Sequence, residues 1–153
     1  MKRTIWAIVA LTLIFVTLPL AAQAAPLQQG SNESFWRAEY FDNAGLSGRP
    51  RFSTFEDTIT HNWGKGSPAL NISPDHFSAR WTSTRFFERG AYLFLLTVDD
   101  GARVWLDGKL ILDAWDIGKK VRLRAKVYID KSGDHQIQVA YFEDTGFASI
   151  TLE

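Results

Sequence analysis

Apolar and polar residues alternate along most of the chain after residue 35. In residues 76–83, HFSARWTS, the apolar Phe77, Ala79 and Trp81 alternate with polar side chains. Residues 119–129, KKVRLRAKVYI, alternate in the same way, and a period of two is typical of a strand with one buried face. In this second segment we expect the following residues to point inward: Val121, Leu123, Ala125, Val127 and Ile129.

Two further segments complete the strand pattern. Residues 91–98, AYLFLLTV, are apolar at both sets of alternating positions, which predicts a central strand covered on both sides. The turn Asp107–Gly108 stands between two apolar runs and predicts a tight hairpin of type I′. Trp36, Trp81 and Trp105 fall within alternating strands, so we expect them in the core.

The pattern as a whole predicts an all-β domain. About eight to ten short strands are separated by turn signals, and no helical window of useful length occurs, which favours an antiparallel β-sandwich or barrel. We assign this domain to residues 35–153 and a flexible linker, APLQQGSNES, to residues 25–34.

Residues 1–24 have the layout of a signal peptide. Lys2 and Arg3 precede an apolar run over residues 5–22, and the run ends in the small-x-small pattern of residues 22–24. The alternative is an uncleaved membrane anchor, because the run approaches the length that spans a bilayer. Pro19 and the alanine-rich exit favour cleavage. The resulting expectation is a secreted or cell-surface protein of a bacterium, with no stable membrane span after cleavage.

The charge balance and the absence of cysteine exclude some classes of partner and of structural support. The chain has 17 basic and 17 acidic side chains, and loss of Lys2 and Arg3 would leave a formal charge of −2. This balance and the absence of a basic run argue against a nucleic-acid partner. The absence of cysteine excludes disulfides and a lipid-modified lipoprotein, so an exported domain of this size depends on its core or on a metal.

Five segments of the chain carry a family resemblance by their order and spacing. They are WRAEYFDNAGLSGRP, ITHNWGKGSP, FSARWT, GAYLFLLTVDDGARVWLDGKLILDAW and GDHQIQVAYFEDTGFASITL. From Trp36 to Leu152 the chain resembles a PA14 domain. The resemblance implies a β-sandwich or barrel-like module, usually attached to a larger protein, that binds carbohydrate in many members. In the adhesin branch a calcium ion, held by an adjacent Asp-Asp pair in cis at the position of Asp99 and Asp100, bridges the protein to sugar hydroxyls.

The doubled carboxylate Asp99-Asp100 is the candidate metal site. Successive strand residues point to opposite faces, so the two carboxylates converge only if the backbone is distorted by a bulge, a left-handed residue or a cis peptide. A divalent cation would relieve their repulsion, and oxygen-only ligands in irregular loops suit calcium. The alternative is a plain turn at Asp100–Gly101 in which Asp99 caps a nearby amide.

The remaining site candidates lie close to turns. The segment FEDTGF offers Glu143 and Asp144 at the place where adhesins supply further oxygen ligands, although the individual ligands do not align. The family often has glycine where this chain has Ser83. Trp115 and Phe147 are candidates for contact with a sugar, because an exposed aromatic ring offers a flat apolar face.

Enzyme chemistry finds no support in the sequence. Adjacent aspartates do not span the roughly 5–9.5 Å between the two carboxyl groups of a glycosidase. No Gly-x-Ser-x-Gly elbow is present, and His61, His76 and His135 are isolated from one another. We therefore expect a calcium-assisted glycan-binding module and no catalysis. The alternative is a structural or protein-binding module of a larger assembly that binds no sugar.

Overall fold

The computed structural model describes residues 35–116 and 118–153. The predicted signal peptide (1–24) and linker (25–34) lie outside the described residues. The described residues form ten strands and no helix, so the predicted all-β antiparallel sandwich is confirmed. Within these ranges there is accordingly no helix of the length and apolar character that a membrane crossing requires.

The strands form two antiparallel sheets. Their bounds are β1 Trp36–Phe41, β2 Phe52–Glu56, β3 Ile59–Gly64, β4 Ser78–Phe87, β5 Gly90–Asp99, β6 Gly101–Leu106, β7 Lys109–Ala114, β8 Val121–Ile129, β9 Gly133–Phe142 and β10 Ala148–Leu152. The larger sheet has six strands in the order β2-β1-β4-β9-β6-β7, and the smaller has four in the order β3-β10-β5-β8.

The core lies between the two sheets and follows the period-two pattern. Phe77, Ala79 and Trp81 are fully buried, as the alternation before and along β4 predicts. The inward positions of β8 pack against this core, from Val121 through to the buried Ile129. The core is aromatic: Trp63 makes an edge contact with Phe77 at 5.3 Å between ring centroids, and several further rings join it.

Two core predictions are wrong because alternation gives two faces but does not say which face is covered. β5 is an inner strand of its sheet, yet Leu93 on its outer face is 55% exposed, so the strand is covered on one side only. Trp105 is also not a core residue. Its neighbours Val104 and Leu106 point inward, which turns the indole to the outer face of the six-stranded sheet.

A polar network lies along the side of the sandwich where the edge strands β2 and β3 come together. The Glu56 carboxylate accepts hydrogen bonds from the Tyr40 hydroxyl at 2.7 Å and from the Trp81 indole at 2.8 Å, and its Oε2 lies 3.0 Å from His61 Nε2. Although partial desolvation opposes it, this set of hydrogen bonds lowers the pKa of Glu56. The network therefore satisfies polar groups of large core aromatics.

One end of the sandwich holds four connections between the sheets. They are residue 100 between β5 and β6, residues 115–116 and 118–120 between β7 and β8, residues 143–147 between β9 and β10, and residues 65–77 between β3 and β4. We call this set the rim. It places Asp99, Asp100, Trp115 and the segment from Glu143 to Phe147 at the same end of the molecule.

Candidate functional site

Asp99 and Asp100 stand where the chain passes from the smaller sheet to the larger. Asp99 is the last residue of β5, and β6 begins at Gly101. The peptide bond between the two aspartates is cis, which is one of the three distortions that convergence of their side chains requires. Gly101 is required here, because a Cβ on it would lie 2.1 Å from the Phe142 ring.

The Asp100 carboxylate is buried and links three rim connections. Its Oδ1 accepts a hydrogen bond from the Gly118 amide at 2.6 Å, and its Oδ2 accepts one from the Asp144 amide at 2.8 Å. The side chain is only 2% exposed. Each oxygen keeps a second lone pair, so Asp100 remains able to accept another ligand.

The Asp99 carboxylate is half-buried and lacks a hydrogen bond or ion pair with any described residue. Partial burial and the neighbouring Asp100 charge raise its pKa, and the charge of Lys120 opposes this effect. The ionised form of Asp99 is therefore less favourable than that of an isolated aspartate, and a bound cation would remove this penalty.

Glu143 is a third carboxylate at the rim and is fully buried. Burial, followed by the charge of Asp100, raises its pKa to about 7. Its Oε1 has no hydrogen-bond partner among the described residues, which is unusual for a buried polar atom. The Tyr141 hydroxyl, which donates to the Asp99 carbonyl at 2.7 Å, lies 3.2 Å from Glu143 Oε2.

The connection between β9 and β10 is held in place by hydrogen bonds to the segment that precedes β4. The Glu143 amide donates to the Phe77 carbonyl at 2.9 Å, and the His76 amide donates to the Asp144 carbonyl at 3.0 Å. The carboxylate of Asp75 accepts a hydrogen bond from the Gly146 amide at 3.1 Å. Asp144 is thus held by its backbone, while its side chain lies 3.2 Å from His76 Nδ1.

The two predicted aromatic contacts have different surroundings. Trp115 is half-buried, packs on Phe142 at 4.6 Å between centroids, and has the Arg103 guanidinium 5.0 Å from its ring. Phe147 is 61% exposed and has only the Lys65 ammonium above it, at 5.3 Å. Phe147 is therefore the rim aromatic with a free face.

Side chains alone do not form a complete metal-binding site at the rim. Within residues 35–116 and 118–153 no group of three or more His, Cys, Asp or Glu side chains is arranged to hold a metal ion. The sequence also did not identify Tyr141, Asp75 or Gly118 as parts of this site. Tyr141 lies at an inward-facing position of β9, where the alternating pattern predicts a core residue. Only the hydrogen bond that its hydroxyl donates to the Asp99 carbonyl shows that it also has a polar role.

The chain matches the family model described as PA14 domain over residues 31–153. The chain belongs to the PA14 domain family. A structure of a PA14 sugar-binding domain from an RTX adhesin has the same fold at 15% identity, with a TM-score of 0.62 over 78% of this chain and 88% of that one.

Relatives of higher identity are anti-sigma factors. The anti-sigma-I factor RsgI3 of Acetivibrio thermocellus is 30% identical over 139 residues, which are 89% of this chain and 21% of that protein. An anti-sigma factor domain-containing protein from Clostridium clariflavum is 35% identical, with a TM-score of 0.68 over 77% of this chain and 40% of that one. This PA14 chain thus spans about a fifth of the curated relative, and neither name describes an enzyme.

These relatives contradict the predicted location. A secreted or cell-surface protein was expected from residues 1–24, in line with adhesins and toxins. The proteins matched at 30–35% identity are instead named for the control of a sigma factor, and not for secretion or adhesion. The prediction of a secreted or cell-surface location is therefore wrong.

Proposed function

We propose that this PA14 domain is a non-catalytic glycan-binding module, in which a calcium ion at Asp99 and Asp100 assists recognition of sugar hydroxyls. The observation that carries the proposal is the uncompensated charge at the rim. Glu143 Oε1 is buried without a partner, and the Asp99 carboxylate has none either within the described residues. A bound cation would offset both.

The donor chemistry of the rim fits calcium. Asp99 and Asp100 offer carboxylate and carbonyl oxygens, whereas zinc and copper favour nitrogen and sulfur. Calcium takes six to eight oxygen ligands and accepts backbone carbonyls and water among them. Asp99 and Asp100 would hold such an ion together with non-side-chain oxygens, because the described residues offer no group of three ligating side chains. Water would fill the remaining coordination positions of the ion, and sugar hydroxyls would replace that water when a glycan binds.

Two further features support a glycan ligand. Phe147 presents a free ring face at the same rim, and sugar rings stack on aromatic faces through their C–H groups. The PA14 sugar-binding domain of an RTX adhesin shares this fold. Trp115 would contribute through the ring edge that Phe142 and Arg103 leave exposed.

The same carboxylates do not suit glycosidic catalysis. Both oxygens of Asp100 already accept hydrogen bonds from backbone amides. Asp99 adjoins it directly, whereas the two carboxyl groups of a glycosidase lie about 5–9.5 Å from each other, on either side of the scissile bond.

A glycan array, read with calcium and with a chelator, tests the proposal on three proteins. The unmodified domain should bind at least one glycan more strongly with calcium, and Asp99→Asn should lose this gain. Asp57→Asn is the matched control, because Asp57 is an exposed aspartate at the opposite end of the sandwich. Binding that is absent, or that survives Asp99→Asn unchanged, contradicts the proposal.

A protein-docking role is the second candidate, and one surface favours it. Leu93 and Tyr128 are 55% and 56% exposed on the outer face of the four-stranded sheet, next to Lys126 of β8. A module that works through this face would bind no calcium. Its melting temperature would then stay the same at millimolar calcium, whereas a ligand that binds only the folded state raises it.

A further inference from the structure

A shallow hollow lies on the outer face of the six-stranded sheet, away from the rim. It has a volume of about 240 Å³ and is lined by Trp105, Gly108, Gln136 and Gln138. Trp105 is four residues along β6 from Gly101, so a strand rise of about 3.3 Å per residue separates the hollow from the Asp99–Asp100 pair by about 13 Å. The hollow is thus distinct from the candidate cation site.

The polar groups of the hollow are available to a ligand. Within the described residues, the side-chain amides of Gln136 and Gln138 and the indole N–H of Trp105 have no hydrogen-bond partner. Gln138 pairs with Trp105 on one side and with Thr82 on the other, so an indole, an amide and a hydroxyl form one row across the sheet. None of these four side chains carries a charge.

The wall of the hollow is fixed by the hairpin tip. Asp107 and Gly108 both have positive φ, 49° and 76°, so the turn is of the predicted I′ kind. The Asp107 amide donates to the Gln136 carbonyl at 2.8 Å, and its Oδ1 accepts a hydrogen bond from the Gln136 amide at 2.9 Å. Its Oδ2 pairs with His135 Nδ1. These bonds hold the β6–β7 turn against β9, so Trp105 and the two glutamines keep their relative positions.

We propose that this hollow is a second, cation-independent binding site for one ring of a neutral oligosaccharide. The ring stacks on the indole of Trp105, and its hydroxyls exchange hydrogen bonds with the amides of Gln136 and Gln138. An aromatic platform beside uncharged donors and acceptors is the chemistry that recognises a neutral sugar. Pockets that enclose drug-sized ligands measure about 300–1,000 Å³, so a hollow below this range holds a single ring of a longer chain.

Isothermal titration in EDTA tests the second site apart from the rim, because EDTA removes any calcium-assisted binding. The probes are cellohexaose, xylohexaose and mannohexaose, with hexagalacturonate as the acidic comparison. At least one neutral probe should bind, and Trp105→Ala should weaken it at least tenfold. Trp105→Phe should retain part of the affinity, since a ring remains.

Two variants control for folding and for the other site. Gln138→Ala keeps the indole and should weaken the same probe severalfold without lowering the melting temperature by more than a few degrees. Trp115→Ala alters the rim and should leave binding in EDTA unchanged. Absence of binding by all three neutral probes, or binding confined to hexagalacturonate, would overturn the proposal. So would an affinity in the Trp105→Ala and Gln138→Ala proteins equal to that of the unmodified protein.

Discussion

The side chain of Asp100 is bound to the backbone of Asp144: its Oδ2 accepts the Asp144 amide hydrogen at 2.8 Å. This bond joins the β5–β6 connection to the β9–β10 connection, although the two residues are 44 positions apart in sequence. Asp100 thus has a structural role in addition to its proposed role as a ligand, whereas Asp99 lacks such contacts within the described residues. The two aspartates should therefore respond differently to substitution.

Asp100→Asn should destabilise the domain in the absence of any cation. One carboxylate oxygen would become an NH2 group facing a backbone N–H, either that of Gly118 or that of Asp144, and leave a buried donor unsatisfied. The expected loss is about 1–3 kcal/mol of unfolding free energy. Asp99→Asn should leave stability in EDTA equal or higher, because it removes repulsion between neighbouring carboxylates. Urea unfolding of both variants in EDTA measures the difference, and equal losses would contradict the division of roles.

Gly101→Ala should be destabilising because the position has no room for a methyl group. A Cβ there would lie 2.1 Å from the Phe142 ring, which is itself packed under Trp115. Forcing the ring aside should lower the unfolding free energy by about 1–3 kcal/mol. Gly90→Ala is the control, because its Cβ would meet no atom within 4 Å. Chemical denaturation of the two variants gives the comparison. Equal stability of the Gly101→Ala and Gly90→Ala proteins would show that the Phe142 ring can move aside at little cost, against this prediction.

Glu56→Ala should weaken the side of the sandwich where β2 and β3 come together. Loss of the carboxylate leaves the Tyr40 hydroxyl and the Trp81 indole N–H, which belong to buried residues, without their acceptor. Each unsatisfied group costs about 1–3 kcal/mol, so a loss of at least about 2 kcal/mol is expected. Calcium affinity should stay the same, since none of the hydrogen-bond partners of Glu56 belongs to the rim. Denaturation and calcium titration on the same protein check both statements, and a shift in calcium affinity would show coupling across the sandwich.

The pair formed by His135 and Asp107 should make hairpin stability depend on pH. The hydrogen bond to Asp107 raises the pKa of His135 above 6.5; despite partial desolvation, the same bond lowers the pKa of Asp107 below 3.8. A raised histidine pKa stabilises the fold fully below pH 6.5, and this contribution falls as pH rises through the folded-state pKa. A lowered aspartate pKa stabilises it above pH 3.8, and this contribution falls as pH drops through the folded-state value.

The stabilisation should therefore be greatest between about pH 4 and 6.5. Both groups are near the surface, so its size should be below about 1 kcal/mol. Unfolding of the unmodified protein and of His135→Gln, compared at pH 5.5 and 8.5, measures it. The difference between the two proteins should shrink at pH 8.5, and a constant difference would exclude a charged histidine as its source.

The sequence predicts several of the strands, and it shows the doubled aspartate beside one of them. Period-two alternation located β4 and β8, and the Asp107–Gly108 turn fixed the β6–β7 hairpin. β2 carries little alternation because it is an edge strand whose residues are half-buried or exposed, and the pattern did not predict it.

The partners of the site were beyond prediction because they depend on distant parts of the chain. The Glu143 amide donates to the carbonyl of Phe77, 66 positions earlier, and the residue is fully buried in the folded structure. Trp105 was placed in the core because alternation offers two equivalent faces, and only the packing of Val104 decides between them. Local patterns do not contain either contact.

Calcium titration by calorimetry tests the central claim most directly. The chelated protein, Asp99→Asn and Asp57→Asn would each be titrated with calcium chloride at pH 7.5, followed by the strongest glycan of the array. One calcium site is expected in the unmodified and Asp57→Asn proteins, no site in Asp99→Asn, and a glycan affinity that rises only where calcium binds. No calcium heat in the unmodified protein, or the same heat in all three, would contradict it.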